Sequence, residues 1–185
     1  MPAATLLRAG DLPTSRSAFY RRVNAGAFEK IARGLYLPAD ADGADWDWLE
    51  AAAKHPRATL CLTSALAYYD LSDEIPRALD IAIPRGSRTP ATEGAIAWHH
   101  FAAATFELGR TTMLIPASDV RLGLYSPERC IADAFRLRGS LGYELGRDAL
   151  RTWLDRGGKP ADLLTIASQL PRAREPLLRT LEVMA

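Results

Sequence analysis

Cysteine is scarce in this chain, and long apolar runs are missing. The two cysteines, Cys61 and Cys130, belong to no C-x-x-C pair. That argues against a zinc site built on paired thiolates, and both read as small buried thiols. No stretch approaches the roughly 20 apolar residues that a membrane helix needs. Met1 to Arg8 lacks the basic region and apolar run of a secretory signal. The expectation is a cytoplasmic protein with no membrane partner. Lysine is rare too: beyond residue 38 there are only Lys54 and Lys159.

The motifs of the common catalytic sites are also missing. There is no G-x-S-x-G, no phosphate-binding loop and no H-E-x-x-H. Asp80 and Glu93 form no spaced carboxylate set with a nearby lysine. His99 and His100 are adjacent on an expected strand, so they point to opposite faces and cannot serve one site. His55 precedes Pro56 at a helix end, where a partly charged imidazole suits the dipole. Asp133 reads as an inward or capping acid paired with Arg129 or Arg136. Trp46, Trp48, Trp98 and Trp153 read as core or interface residues, and Arg85-Gly86-Ser87-Arg88 as a solvated basic turn, with a second phosphate contact or a partner-facing patch as the alternative. The expectation is a non-enzymatic protein without cofactor or metal.

What is present is an ordinary globular composition, 48% hydrophobic and 24% charged over 185 residues, enough for one small and one medium domain. The net charge of +1 hides an asymmetry. In residues 1–38, Arg8, Arg16, Arg21, Arg22, Lys30 and Arg33 stand against Asp11 and Glu29, a net +4. Residues 39–120 are net −6 and residues 121–185 net +3. A basic segment joined to an acidic middle points to one part that meets an anion.

The Asp- and Gly-rich run after Pro38 marks a linker over 39–45, ending in a helix N-cap. Before it, the pattern predicts a helix over Pro2–Ala9 and a second from an N-cap at Thr14 or Ser15 to Ala25, stopped by Gly26. A hairpin follows, Phe28–Ala32 and Leu35–Leu37 around Arg33-Gly34. Helix, turn, helix, hairpin is the order of a winged helix-turn-helix. After the linker, helices are expected at Trp46–Lys54 and Leu60–Tyr69, the latter starting near Thr63 or Ser64. Strands are expected at Ala78–Ile83, Ile96–Phe101, Thr111–Ile115 and Val120–Leu124. Helices then begin at Ser126, Tyr143, Pro160 and Pro171. The fold class is α+β: the winged unit, then a mixed domain over 46–185 in which a small sheet is flanked by helices and followed by a helical tail.

In the second helix, Ser17, Tyr20, Arg21 and Asn24 share one face, while Phe19 and Val23 face inward. Arginine reads guanine bidentately, asparagine reads adenine, and Ser or Tyr bonds phosphate or base edges. Ser15 and Arg16 lie at the helix N-terminus, which itself favours a phosphate. Arg22 falls between the faces. Lys30 and Arg33 on the hairpin could reach the flanking backbone or the minor groove. These nine residues are the expected DNA contacts. The alternative is a protein-interaction module whose basic helix docks an acidic partner.

The runs Leu7-Arg8-Ala9-Gly10, Thr14-Ser15-Arg16-Ser17, Phe19-Tyr20-Arg21-Arg22-Val23, Gly26 and Phe28 to Tyr36 resemble the N-terminal winged helix of AbiEi-type antitoxins, of the type IV toxin–antitoxin or abortive-infection systems. The likeness continues in Leu62-Thr63-Ser64-Ala65-Leu66-Ala67, Asp73-Glu74-Ile75-Pro76, Ile83-Pro84-Arg85-Gly86 and Ser126 to Phe135. The ordered set carries it, not any one motif. The resemblance implies a repressor that binds repeated half-sites in its own operator. It also implies an antitoxin whose C-terminal domain counters a nucleotidyltransferase-class toxin. A tri-helical winged domain has a further helix before Pro2–Ala9. That helix either lies upstream of Met1 or is replaced by part of the second domain.

Overall fold

Serine 15 opens the first helix by the usual chemistry of an N-cap. Its backbone is extended and its Oγ accepts the Ala18 N–H at 3.3 Å. The computed structural model of the chain describes residues 7–8, 11–32, 34–39 and 45–184. Helix α1 (Arg16–Asn24) ends in a complete Schellman motif: the Ala27 N–H bonds the Arg22 carbonyl and the Gly26 N–H bonds that of Val23, both at 3.0 Å. Gly26 supplies the positive φ, +77°, that this ending requires. Strands β2 (Phe28–Ala32) and β3 (Leu35–Pro38) then pair antiparallel, with an irregularity between Lys30 and Ala32.

Residues 7–8 correct the helix expected over Pro2–Ala9. They form a strand, β1 (Leu7–Arg8), that pairs antiparallel with β3, Leu7 opposite Tyr36 and Arg8 opposite Leu35. The exposed edge of a two-stranded ribbon needs partners, and this need outweighs local helical spacing. The rest of Pro2–Ala9 lies outside the described residues. The small sheet has the order β1-β3-β2. Its two faces differ. Phe28 and Tyr36 pack against Phe19 of α1, whereas Ile31 and Leu37 join the main core.

Helix α2 (Trp46–Lys54) starts at the expected N-cap, where the Asp45 carboxylate accepts from Asp47 and Trp48 N–H. It lies between β2 and the large sheet. That sheet comprises β4 (Thr59–Leu60), β5 (Leu79–Pro84), β6 (Ile96–Phe101), β7 (Arg110–Leu114) and β8 (Arg121–Tyr125). Its order is β6-β5-β4-β8-β7. The β5–β6 and β4–β8 pairs are parallel, the β4–β5 and β7–β8 pairs antiparallel. Leu60 therefore belongs to the central strand, not to a helix. Helix α3 begins only at Leu62 (Leu62–Tyr68). A short buried strand and a buried helix give the same apolar run, so spacing could not separate them.

Helix α4 (Pro127–Arg136) is the hub of the C-terminal half. Ser126 caps it, Pro127 occupies its first turn, and every residue from Arg129 to Phe135 is buried. It contacts α3 and the following α5 (Arg138–Leu141), α6 (Tyr143–Asp155), α7 (Pro160–Ser168) and α8 (Arg174–Met184). Helix α8 starts later than its expected Pro171, because Arg172 takes a left-handed φ of +66°. Trp153 is buried and Trp48 and Trp98 pack on the core, while Trp46 is 39% exposed. No helix among the described residues is long and apolar enough to cross a membrane. The architecture is α+β, as the element order implies.

Candidate nucleic-acid interface

Phe19 fixes how α1 sits. It is fully buried, with its ring 4.9 Å from that of Tyr36 in edge-to-face geometry and 5.4 Å from that of Phe28. Burying such a ring contributes about 1.5–3 kcal/mol, and edge-to-face pairing adds about 1 kcal/mol. Leu12 and Val23 pack at the margins of this cluster. With the apolar side held, Ser15, Arg16, Ser17, Tyr20, Arg21, Arg22 and Asn24 are all exposed.

These exposed residues are not equivalent. Arg16 and Arg21 form no ion pair among the described residues, and the first turn of α1 carries no acid. Ser15 and Ser17 bond each other through Oγ at 3.1 Å, so part of their capacity is used locally. The Arg22 guanidinium lies 4.8 Å over the Phe28 ring, which gives this intermediate position a packing role. The Tyr20 ring meets Tyr36 edge-on at 6.4 Å. Burial, then the neighbouring Tyr20, hold the Tyr36 phenol above its ordinary value, so it stays protonated. Lys30 is exposed opposite Tyr36, on the sheet face that carries α1. Arg33 lies outside the described residues. The structure thus gathers Arg16, Ser17, Tyr20, Arg21, Asn24 and Lys30 around one helix and one strand. Their donors suit an extended anion.

Three other polar clusters lie in the body, and each has a structural explanation. Asp80 Oδ1 bonds His99 Nε2 at 2.8 Å, and Oδ2 accepts the Ser64 N–H at 3.3 Å. Cys61, the N-cap of α3, makes no side-chain bond there. Asp80 supplies from β5 the carboxylate that the start of α3 lacks. The Ser64 Oγ accepts the Asp80 N–H at 2.8 Å and donates to Asp80 Oδ2 at 3.5 Å, so the serine, the acid and the imidazole form one chain of hydrogen bonds.

The second cluster is the Asp133 pairing expected from sequence. Asp133 takes Arg129 Nε at 2.9 Å and Arg136 Nε at 2.5 Å, and both Arg129 and Asp133 are fully buried. Arg129 also donates to the Thr105 and Leu108 carbonyls, both at 2.7 Å, and stacks 4.4 Å from the Tyr125 ring. Gly109 makes room for it: a Cβ there would lie 2.9 Å from Arg129 Cβ.

The third cluster was not legible from spacing. The buried Glu50 carboxylate accepts the Glu93 and Gly94 N–H groups at 2.9–3.1 Å and pins the β5–β6 connection to α2. Only its i,i+4 partner, Lys54 at 3.6 Å, is visible in sequence. At the other end of α2, His55 departs from expectation. Burial, then Arg57, hold its imidazole below the ordinary value, and its Nδ1 accepts the Arg57 N–H at 3.1 Å. It is therefore neutral at pH 7, not partly charged. No group of three or more His, Cys, Asp or Glu suited to a metal ion occurs among the described residues. Compared with models of known protein families and with the sequences of curated proteins, the chain matches none.

Proposed function

We propose that this chain is a DNA-binding autorepressor and antitoxin of a toxin–antitoxin operon, acting in the cytoplasm and without catalysis. One observation carries the DNA half. A helix anchored by a buried aromatic trio presents Ser17, Tyr20, Arg21 and Asn24 outward, with Arg16 and Arg21 free of ion pairs among the described residues. A hairpin bearing Lys30 stands beside it. In this reading α1 is a recognition helix seated on a three-stranded wing, with β1 standing where a winged helix-turn-helix would have the end of its preceding helix. It enters the major groove, and the N-terminus of α1 and the hairpin hold flanking phosphates. Arg21 and Asn24 read base edges. Ser15, Arg16, Ser17, Tyr20, Lys30 and Arg33 position the helix on the backbone, and Arg22 supports it from the Phe28 ring. The antitoxin half, with a nucleotidyltransferase-class toxin as its counterpart, rests on the family resemblance. The C-terminal body is the part that would counter the toxin.

The test is a titration of the purified chain against the duplex upstream of its own gene, beside a shuffled duplex, at two salt concentrations. The native duplex should be preferred and salt should weaken binding steeply, since several phosphates are contacted. Arg21→Ala should remove the preference. Equal weak binding to both duplexes, unchanged by Arg21→Ala, would turn α1 into a docking helix for an acidic protein.

A further inference from the structure

The buried ion cluster on α4 is not electrically balanced. Asp133 accepts from both Arg129 and Arg136, so one carboxylate faces two guanidiniums. No second acid lies within ion-pair distance of either arginine among the described residues. The surplus positive charge reaches the surface at one end of α4. There Arg136, whose side chain is 14% exposed, lines a pocket of about 360 Å³. Arg138 of α5 and Arg172 of the α7–α8 connection line it too, with Leu137 and Ser140. No acid is found in that lining among the described residues.

The fold holds two of these guanidiniums in place. Arg136 is clamped through Nε on Asp133 and lies 5.0 Å over the Phe101 ring, which leaves its two Nη groups without a protein partner among the described residues. Arg138 is held by Nη1 on the Phe135 carbonyl at 2.8 Å. The third, Arg172, is exposed and forms no ion pair among the described residues. Its φ of +66° is one that glycine would hold without strain, yet the position carries a cation.

We infer that this pocket binds a phosphate dianion, free or as the monoester end of a small molecule. Near pH 7 such a group carries close to two negative charges and presents three acceptor oxygens. These match the surplus charge of the cluster and the forked donors of three arginines. A docked acidic peptide would need an apolar floor as well, and Leu137 alone supplies apolar surface in the lining. The residues belong to α4, α5 and the α7–α8 connection, so the site is separate from the basic face of α1 and does not rest on the DNA reading.

The test uses the full-length chain in isothermal titration calorimetry at constant ionic strength, with inorganic phosphate, adenosine monophosphate and adenosine as probes. Both phosphates should bind at one saturable site, and adenosine should not bind. A nucleotide bound about tenfold more tightly than phosphate would identify an ester as the ligand, and equal affinities free phosphate. Arg172→Gly removes a guanidinium and suits the left-handed backbone, so its melting curve should match or exceed the parent's, while phosphate affinity falls about tenfold. Arg138→Gln should weaken binding similarly, and Arg21→Ala should leave it unchanged. Absence of saturable binding by both phosphates, or affinity untouched by Arg172→Gly and Arg138→Gln, would overturn the proposal. So would loss of binding in Arg21→Ala, which would move the anion to α1. Equally tight binding of a glutamate-rich peptide, lost in the same two variants, would overturn it too, because the pocket would then dock a protein.

Discussion

Helices α1 and α4 both carry arginines, and they use them in opposite ways. On α1, Arg16 and Arg21 stand in solvent without acidic partners among the described residues. On α4, Arg129 is fully buried, held by Asp133 and two backbone carbonyls, with Arg136 closing the other side of the same carboxylate. A guanidinium taken out of water costs several kcal/mol unless its donors are met. The fold meets that cost around Arg129, although Nη2 of Arg129 finds no partner among the described residues. On α1 it leaves the charge hydrated and available. The difference separates an arginine that builds the protein from one that can leave water for a ligand.

The largest break in this comparison should come from Asp133→Ala. It strands two guanidiniums, one of them fully buried, and should cost about 3–5 kcal/mol. For a chain of this size the melting temperature should fall by roughly 10 °C. A fall of only a degree or two would mean that water reaches the site. Phe19→Ala comes next. It removes the ring that seats α1, with a local cost of about 3 kcal/mol. Proteolysis should then cut within residues 11–39 while the rest of the body resists, and operator binding should vanish. Simultaneous loss of both parts would show that the small sheet cannot loosen without the main core.

Arg21→Ala sharpens the contrast from the other side. Its effect on stability should stay within about 0.5 kcal/mol. Operator affinity should drop by about 1–3 kcal/mol, with relaxed preference at one base position. A destabilised Arg21→Ala would place this residue with Arg129 instead. The smallest effect belongs to His55. Its folded pKa lies below the unfolded value near 6.5, so the unfolded chain binds the extra proton. The stability that His55 contributes is present above about pH 6.5 and is lost as pH falls towards the lowered folded value. Thermal melts between pH 7.5 and 5.5 should show a shallower decline for His55→Gln. An identical slope would mean the imidazole is solvated in the folded protein.

Much of this was legible in the sequence because it is local. Ser15, Asp45 and Ser126 sit at the caps where their side chains dictate, and Gly26 closes α1 as its freedom of φ allows. The Arg33-Gly34 connection between two short apolar-rich runs marked the hairpin. The exposed face of α1 followed from helical periodicity alone. What escaped depends on partners distant in the chain. Leu7–Arg8 becomes a strand because β3 offers an edge. Leu60 becomes a strand because β5 and β8 flank it, and α3 takes its capping acid from Asp80 rather than from its own start. Glu50 looks like half of a helical ion pair until residues 93 and 94 return across it.

The central strand has a consequence for the order of folding. Thr59 and Leu60 find their parallel partners only at Gly123 and Leu124. On a chain emerging from the ribosome, the middle of the large sheet must wait for its second neighbour until most of the molecule has been made. The contacts of α1 with its hairpin close within a few turns of chain and form early. The segment with the solvent-exposed arginines thus acquires its shape first. The body that stabilises the far side of its sheet, through Ile31 and Leu37, is completed last.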